Sequence, residues 1–287
     1  MKYGVIDIGS NSVRLMISEN GQTIKKYVKT TRLAENMEAD NNLQDISIER
    51  TACAVSFFVN MAKEQNADKV YIFATAAVRQ AKNKQVFISK VKDLTGIIVD
   101  VIEGELEARL GAIGALNGSD GGIIDVGGAS SEVLIVKNGK IIYTKSLNIG
   151  AVKLFNLCGQ DKEKILELVH KTVEEYGEIP TTTFFGIGGT ATSIASMDLS
   201  LSVYNPKLVH GHVISIENIL QLRNKLLNMS VEEKRNIVGL QKDRAEVIAG
   251  GVAIVYEILK RANTQKIIIS ENDNLEGYLE IKRRNNE

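Results

Sequence analysis

An apolar run at residues 5–8, broken only by Asp7, gives way to Gly9-Ser10-Asn11-Ser12 and resumes at residues 13–17. This pattern predicts a strand, a tight polar turn and a second strand, with a carboxylate at the bend. It recurs 118 positions later, at Ile123-Ile124-Asp125-Val126-Gly127-Gly128-Ala129-Ser130-Ser131-Glu132-Val133-Leu134-Ile135. The repeat keeps Asp7 with Asp125, Gly9 with Gly127, and Ser12 with Ser130. It also keeps Asn20-Gly21 with Asn138-Gly139. Asn-Gly between apolar runs signals a hairpin, because both residues tolerate positive φ. Two such hairpins predict two related halves facing one another.

The remaining pattern alternates. A third strand is expected over 23–32, carrying Lys25, Lys26, Lys29 and Arg32. Three- and four-residue apolar spacing predicts a helix over 47–66, and a short buried strand follows at 69–74. A second helix contains Val86, Phe87, Val91 and Leu94, with Gly96 as its cap. A strand at 97–102 and a helix over 103–116 complete the first half. Residues 117–122, small and polar, are the expected linker. In the second half, a third strand runs through Ile141, Tyr143 and Ser146. Helices are expected at 151–157, 162–176 and 245–261, with one N-capped by Ser215 reaching Leu227. Strands are expected at 182–186 and 266–269, followed by a closing helix. Strands alternating with helices predict an α/β fold, divided into domains 1–117 and 118–287, with the last helix able to pack back on the first domain.

Composition narrows the classes. The 287 residues are 44% hydrophobic and 24% charged, enough to bury real cores. Lys+Arg 35 against Asp+Glu 35 leaves no global field to recruit nucleic acid or an anionic membrane, so neither partner is expected. Cys53 and Cys158 offer neither a disulfide framework nor a metal-ligand pair. No long apolar segment opens the chain, and a cytoplasmic location is expected.

Three glycine-rich bends end strands: Gly9-Ser10-Asn11-Ser12, Gly127-Gly128-Ala129-Ser130 and Gly188-Gly189-Thr190. Glycine lets backbone N–H groups approach an anion, Ser and Thr add donors, and a helix beginning at the third bend adds its positive end. One such bend is ordinarily only a tight turn; three, two of them in a repeat, point to phosphate. Asp7 and Asp125 stand where strands stop, and Glu132 returns toward the same space as Asp125. Mg²⁺ on one or two carboxylates would neutralise phosphate charge. The plain reading, in which these acids stabilise turns or solvate strand ends, stays open. For Glu107 and Arg109, a local pair or solvation is the plain reading. His210 and His212 read as ordinary hydrogen-bonded imidazoles.

The segments Asp7-Ile8-Gly9-Ser10-Asn11-Ser12, Ala77-Val78-Arg79-Gln80-Ala81-Lys82-Asn83, Gly104-Glu105-Leu106-Glu107-Ala108-Arg109 and Asp125-Val126-Gly127-Gly128-Ala129-Ser130-Ser131-Glu132 together resemble the exopolyphosphatase/guanosine pentaphosphate phosphohydrolase family. The resemblance continues through Gly188-Gly189-Thr190, Arg244-Ala245-Glu246-Val247-Ile248-Ala249-Gly250 and Leu275-Glu276-Gly277. It implies two ribonuclease H-like domains of the actin-like ATPase superfold, each a mixed sheet with flanking helices, and an active site in the cleft between them. It implies Glu107 as the base activating water, Arg79 near the substrate phosphates, and Asp125 and Glu132 as the Mg²⁺ environment. Ser10, Asn11, Ser12, Gly127, Gly128, Ser130, Gly188, Gly189 and Thr190 are the expected phosphate contacts, and Asp7 a further metal candidate. Three positions depart from the family pattern: Leu106 for a glutamate, Ala129 for a glycine, and Arg14 for a frequent histidine. The chain is read as the short, two-domain form, without the C-terminal helical domain of longer members.

The expected activity is Mg²⁺-dependent release of terminal phosphate from inorganic polyphosphate or guanosine pentaphosphate, with a homodimer as the assembly considered. A nucleotide- or alarmone-binding regulator with weak or no catalysis, motivated by Leu106 and Ala129, is the alternative. An ATP-dependent phosphotransferase of the same superfold is the third reading.

Overall fold

The computed structural model describes residues 1–37 and 41–284. The chain forms two compact units, Met1–Glu107 together with the segment from Leu275, and Ala108–Asn274. The residues expected as a linker lie inside the second of these. Asn117 and Gly118 make a turn at positive φ (46° and 85°), and Gly121 and Gly122 already belong to a strand.

The first unit contains β1 (Lys2–Ile8), β2 (Ser12–Glu19), β3 (Gln22–Thr30), α1 (Asp45–Glu64), β4 (Lys69–Ala74), α2 (Ala76–Gln80), α3 (Lys84–Thr95) and β5 (Asp100–Val101). The start of α4 (Gly104–Leu116) and nearly all of the final helix, Asn274–Arg284, complete it. Its sheet order is β3-β2-β1-β4-β5, antiparallel from β1 through β3 and parallel from β1 through β5. Asn20 and Gly21, both at positive φ, close the β2–β3 hairpin. Helix α1 lies so close on β1 that a Cβ at Gly4 would stand 2.8 Å from the Ala62 methyl. The strand expected at 97–102 contracts to two residues, Asp100 and Val101, which pair in register with Phe73 and Ala74 of β4.

The second unit contains β6 (Gly121–Val126), β7 (Ser131–Lys137), β8 (Lys140–Leu147), α5 (Ala151–Cys158), α6 (Lys162–Val173), β9 (Phe184–Ile187), α7 (Gly188–Asp198), α8 (Pro206–Val209), β10 (Val213–Ser215), α9 (Ile216–Leu227), α10 (Val231–Lys234), α11 (Ile248–Arg261) and β11 (Lys266–Ile269). The final helix, Asn274–Arg284, is α12. The sheet order β8-β7-β6-β9-β11 repeats that of the first unit, with β10 added at the far edge. This is the ribonuclease H-like plan that the resemblance implies, present twice. The second core packs α11 residues such as Val252, Ile254 and Ile258 with Val133, Ile135 and Phe184 of the sheet. Helices α8 and α10 and strand β10 carry no periodic signal, being three or four residues long. Local caps define the two helices: Asn205 accepts from the Lys207 amide, and Ser230 and Glu233 form a capping box. No helix among the described residues is long and apolar enough to cross a membrane.

Candidate active site

Each repeat bend closes in the same way. The Gly9 amide donates to the Ser12 carbonyl at 3.1 Å, and the Gly127 amide to the Ser130 carbonyl at 3.0 Å. Neighbouring backbone anchors both bends. The Asn11 carbonyl accepts from the Thr31 and Arg32 amides, and the Gly128 carbonyl from the Val152 and Lys153 amides. Gly150 sits against the second bend, where a Cβ would lie 2.5 Å from the Gly128 carbonyl carbon. Ser10 and Ser130 are buried. In the first bend, Asn11 Nδ2 is a buried donor without a hydrogen-bond partner. Such an atom costs about 1–3 kcal/mol unless a ligand or water meets it.

The two bends differ in what faces the aspartate. Asp7 is the register partner of Arg14, whose Nε donates to Asp7 Oδ2 at 2.9 Å. Asp125 is the register partner of Glu132. Directly opposed residues of an antiparallel pair share a sheet face, so the second bend carries two carboxylates side by side. Both are buried. Ser146 Oγ donates to Glu132 Oε1 at 2.7 Å, and Asn274 Nδ2 donates to Asp125 Oδ2 at 3.2 Å. Gly188, at φ +75°, opens α7 against the other oxygen: a Cβ there would stand 2.6 Å from Asp125 Oδ1. Among the described residues no three His, Cys, Asp or Glu side chains cluster to cage a metal. Two carboxylates suit a hard divalent cation that takes its remaining oxygens from water and phosphate.

Glu107 lies in the first turn of α4 and is 7% exposed. Arg79, from α2, donates through Nη1 to Glu107 Oε2 at 3.0 Å and to the Ile102 carbonyl at 2.8 Å. Burial drives the Glu107 pKa up, the Arg79 charge opposes this, and Asp7 adds to the rise; the result is about 7. The plain alternative for Glu107, a pair with Arg109, is not what the fold makes. Leu106 is 37% exposed, so the carboxylate missing from the family's acidic pair would have occupied a partly solvated position.

Of the third bend, Gly188 and Gly189 begin α7, while Thr190 turns inward and donates its hydroxyl to the Val126 carbonyl at 2.7 Å. The Arg244 guanidinium covers Gly189, where a Cβ would meet it at 2.3 Å. His210 Nδ1 accepts from the Glu271 amide at 3.2 Å, and His212 Nε2 lies 2.7 Å from Asp198 Oδ2. Sequence reasoning did not single out Asn274 or Arg244 individually. Both lie within quoted motif segments or beside one, but no spacing rule links Asn274 to Asp125, 149 residues away.

Two copies of one mixed α/β plan, each with an acid-led, glycine-rich bend at the end of its first strand, define the actin-like fold class. The model of the Ppx/GppA phosphatase family matches residues 5–281, and the chain belongs to that family. Exopolyphosphatase 2 of Mycobacterium tuberculosis is 27% identical over 310 aligned positions, gaps included, that cover 96% of this chain and 97% of that protein. The guanosine-5'-triphosphate,3'-diphosphate pyrophosphatase of Photobacterium profundum is 28% identical over 96% of this chain but only 58% of its own length. The crystal structure of the Aquifex aeolicus Ppx/GppA family member superposes with a TM-score of 0.80 at 29% identity, covering 99% of each chain. Family membership places the chain among hydrolases acting on phosphoanhydride bonds.

Proposed function

We propose that this hydrolase is an exopolyphosphatase, removing the terminal phosphate of inorganic polyphosphate with Mg²⁺ as its metal. The observation that carries the reading is Glu107, buried, held by Arg79 and poised at about 7. A general base works best with a pKa near the operating pH, and attack on phosphorus requires a proton to leave the water. In this mechanism Glu107 takes that proton, while Arg79 fixes its Oε2 and donates to a substrate phosphate oxygen. Asn11 Nδ2 and the Ser10 and Ser12 region grip phosphate in the first unit; Gly127, Gly128, Ser130 and the start of α7 do so in the second. Asp125 and Glu132 would hold Mg²⁺, Asp7 being already bound by Arg14. When bound, the metal supplies neutralisation of the phosphate oxygens.

Guanosine pentaphosphate is the second substrate considered. Polyphosphate is put first because the groups named above, the Asn11 amide, the Arg79 guanidinium and the glycine-rich bends, address phosphate alone. The test is phosphate release with Mg²⁺ from long polyphosphate, triphosphate, guanosine pentaphosphate and ATP. Long polyphosphate should be cleaved fastest. Glu107→Gln should lower turnover by at least about 10²-fold while retaining substrate binding. Release from none of the four would sink the proposal.

A further inference from the structure

The Asp125–Glu132 pair has a third polar neighbour that the mechanism above does not use. Asn274, 3% exposed, comes from the far end of the second unit, where α12 begins. Its amide nitrogen donates to Asp125 Oδ2 at 3.2 Å. That leaves Oδ1 on the opposite side, over α4, where a Cβ at Gly111 would stand 3.0 Å away. This oxygen is buried and has no hydrogen-bond donor. A buried amide oxygen left unpaired is destabilising. A hydrophobic side chain of similar volume would be better for folding alone.

We infer that Asn274 is a positioning residue of the Asp125–Glu132 centre. Its N–H group fixes the Asp125 carboxylate for the cation, and the unpaired Oδ1 is the folding cost of keeping an amide there. The inference rests on the proposed Mg²⁺ reading. Partners of this kind orient a ligating carboxylate, and their loss typically weakens metal binding or activity by about 10–100-fold.

The test titrates Mg²⁺ alone into the wild-type chain and the Asn274→Leu variant by calorimetry, with thermal melts and steady-state kinetics alongside. Asn274→Leu should weaken Mg²⁺ affinity about tenfold or more. It should lower kcat at fixed Mg²⁺, with recovery at high Mg²⁺, and shift KM for polyphosphate by no more than about twofold. Its metal-free melting temperature should equal or exceed that of wild type, because the unpaired oxygen is gone. Unchanged Mg²⁺ affinity overturns the inference, as does a lowered metal-free melting temperature without a change in affinity. Should the leucine variant fail to fold, Asn274→Ser, whose hydroxyl is too short to keep the contact with Asp125 Oδ2, is read by the same criteria. A wild-type chain that neither binds Mg²⁺ nor releases phosphate sinks the underlying reading as well. A wild-type chain that does both beside an unaltered variant sinks only the role of Asn274.

Discussion

Arg79 donates to Glu107 Oε2 at 3.0 Å, yet the Glu107 carboxyl retains its proton up to about pH 7. A guanidinium at this distance ordinarily lowers a carboxyl pKa. Burial outweighs it here, and Asp7 adds to the rise. The pairing therefore positions the carboxyl without making it a weak base.

This relationship has a pH signature. Phosphate release should rise with pH through a midpoint near 7, as Glu107 loses its proton. Stability should move the other way. The folded pKa lies above the ordinary 4.5, so the native state binds more protons than the unfolded one between 4.5 and about 7. Stability falls as pH rises through that window, by roughly 3 kcal/mol at most. Glu107→Gln, which cannot ionise, should melt higher than wild type at pH 8 and alongside it at pH 4. Equal differences at both pH values would rule out a raised Glu107 pKa.

Replacing Arg79 tests the opposing charge. In Arg79→Ala the guanidinium no longer favours the carboxylate, so the acidic limb of the pH–rate profile should move to higher pH. KM for polyphosphate should rise as well. Arg79→Lys keeps a charge but not the planar guanidinium whose Nη1 donates to both Glu107 and the Ile102 carbonyl, so it should restore the pH limb more than KM. A limb that stays in place in Arg79→Ala would separate Arg79 from the electrostatics of Glu107.

The buried amide of Asn11 predicts a trade between folding and binding. Asn11→Ala removes a donor that the folded chain leaves unpaired. Thermal stability should change by less than about 1 kcal/mol or increase, while KM for substrate rises on the order of tenfold. A strongly destabilised variant with normal KM would show the amide to be structural.

Gly188 predicts strain. A side chain there must adopt φ +75° and also meets Asp125 Oδ1 at 2.6 Å. Gly188→Ala should cost about 1–3 kcal/mol and weaken Mg²⁺ binding by displacing the carboxylate. Gly118→Ala serves as a control, with φ +85° but open space around the added carbon. It should show the conformational cost without the loss of metal affinity.

The elements were readable from sequence in proportion to their length and periodicity. Helices α1 and α3 and both repeat hairpins stand where the apolar spacing places them, and α9 where the Ser215 cap does. The failures are short or conditional. β5 depends on whether β4 offers partners, and α8, α10 and β10 depend on caps and edges rather than on a hydrophobic face.

The chain order alone determined the duplication: Asp, Gly and Ser recur 118 residues apart because each half builds the same strand-bend-strand. It also distinguished Arg14 from Glu132 at equivalent positions. Only the folded chain turned that difference into chemistry, because strand register sets Asp7 against a guanidinium and Asp125 against a second carboxylate. The same holds for Glu107, whose raised pKa comes from burial that outweighs the opposing charge of an arginine 28 residues away. Asn274 reaches Asp125 across 149 residues. Local patterns encode what a segment does with its own backbone. Proximity between distant segments, and the desolvation that comes with it, exist only once the sheets and helices have packed.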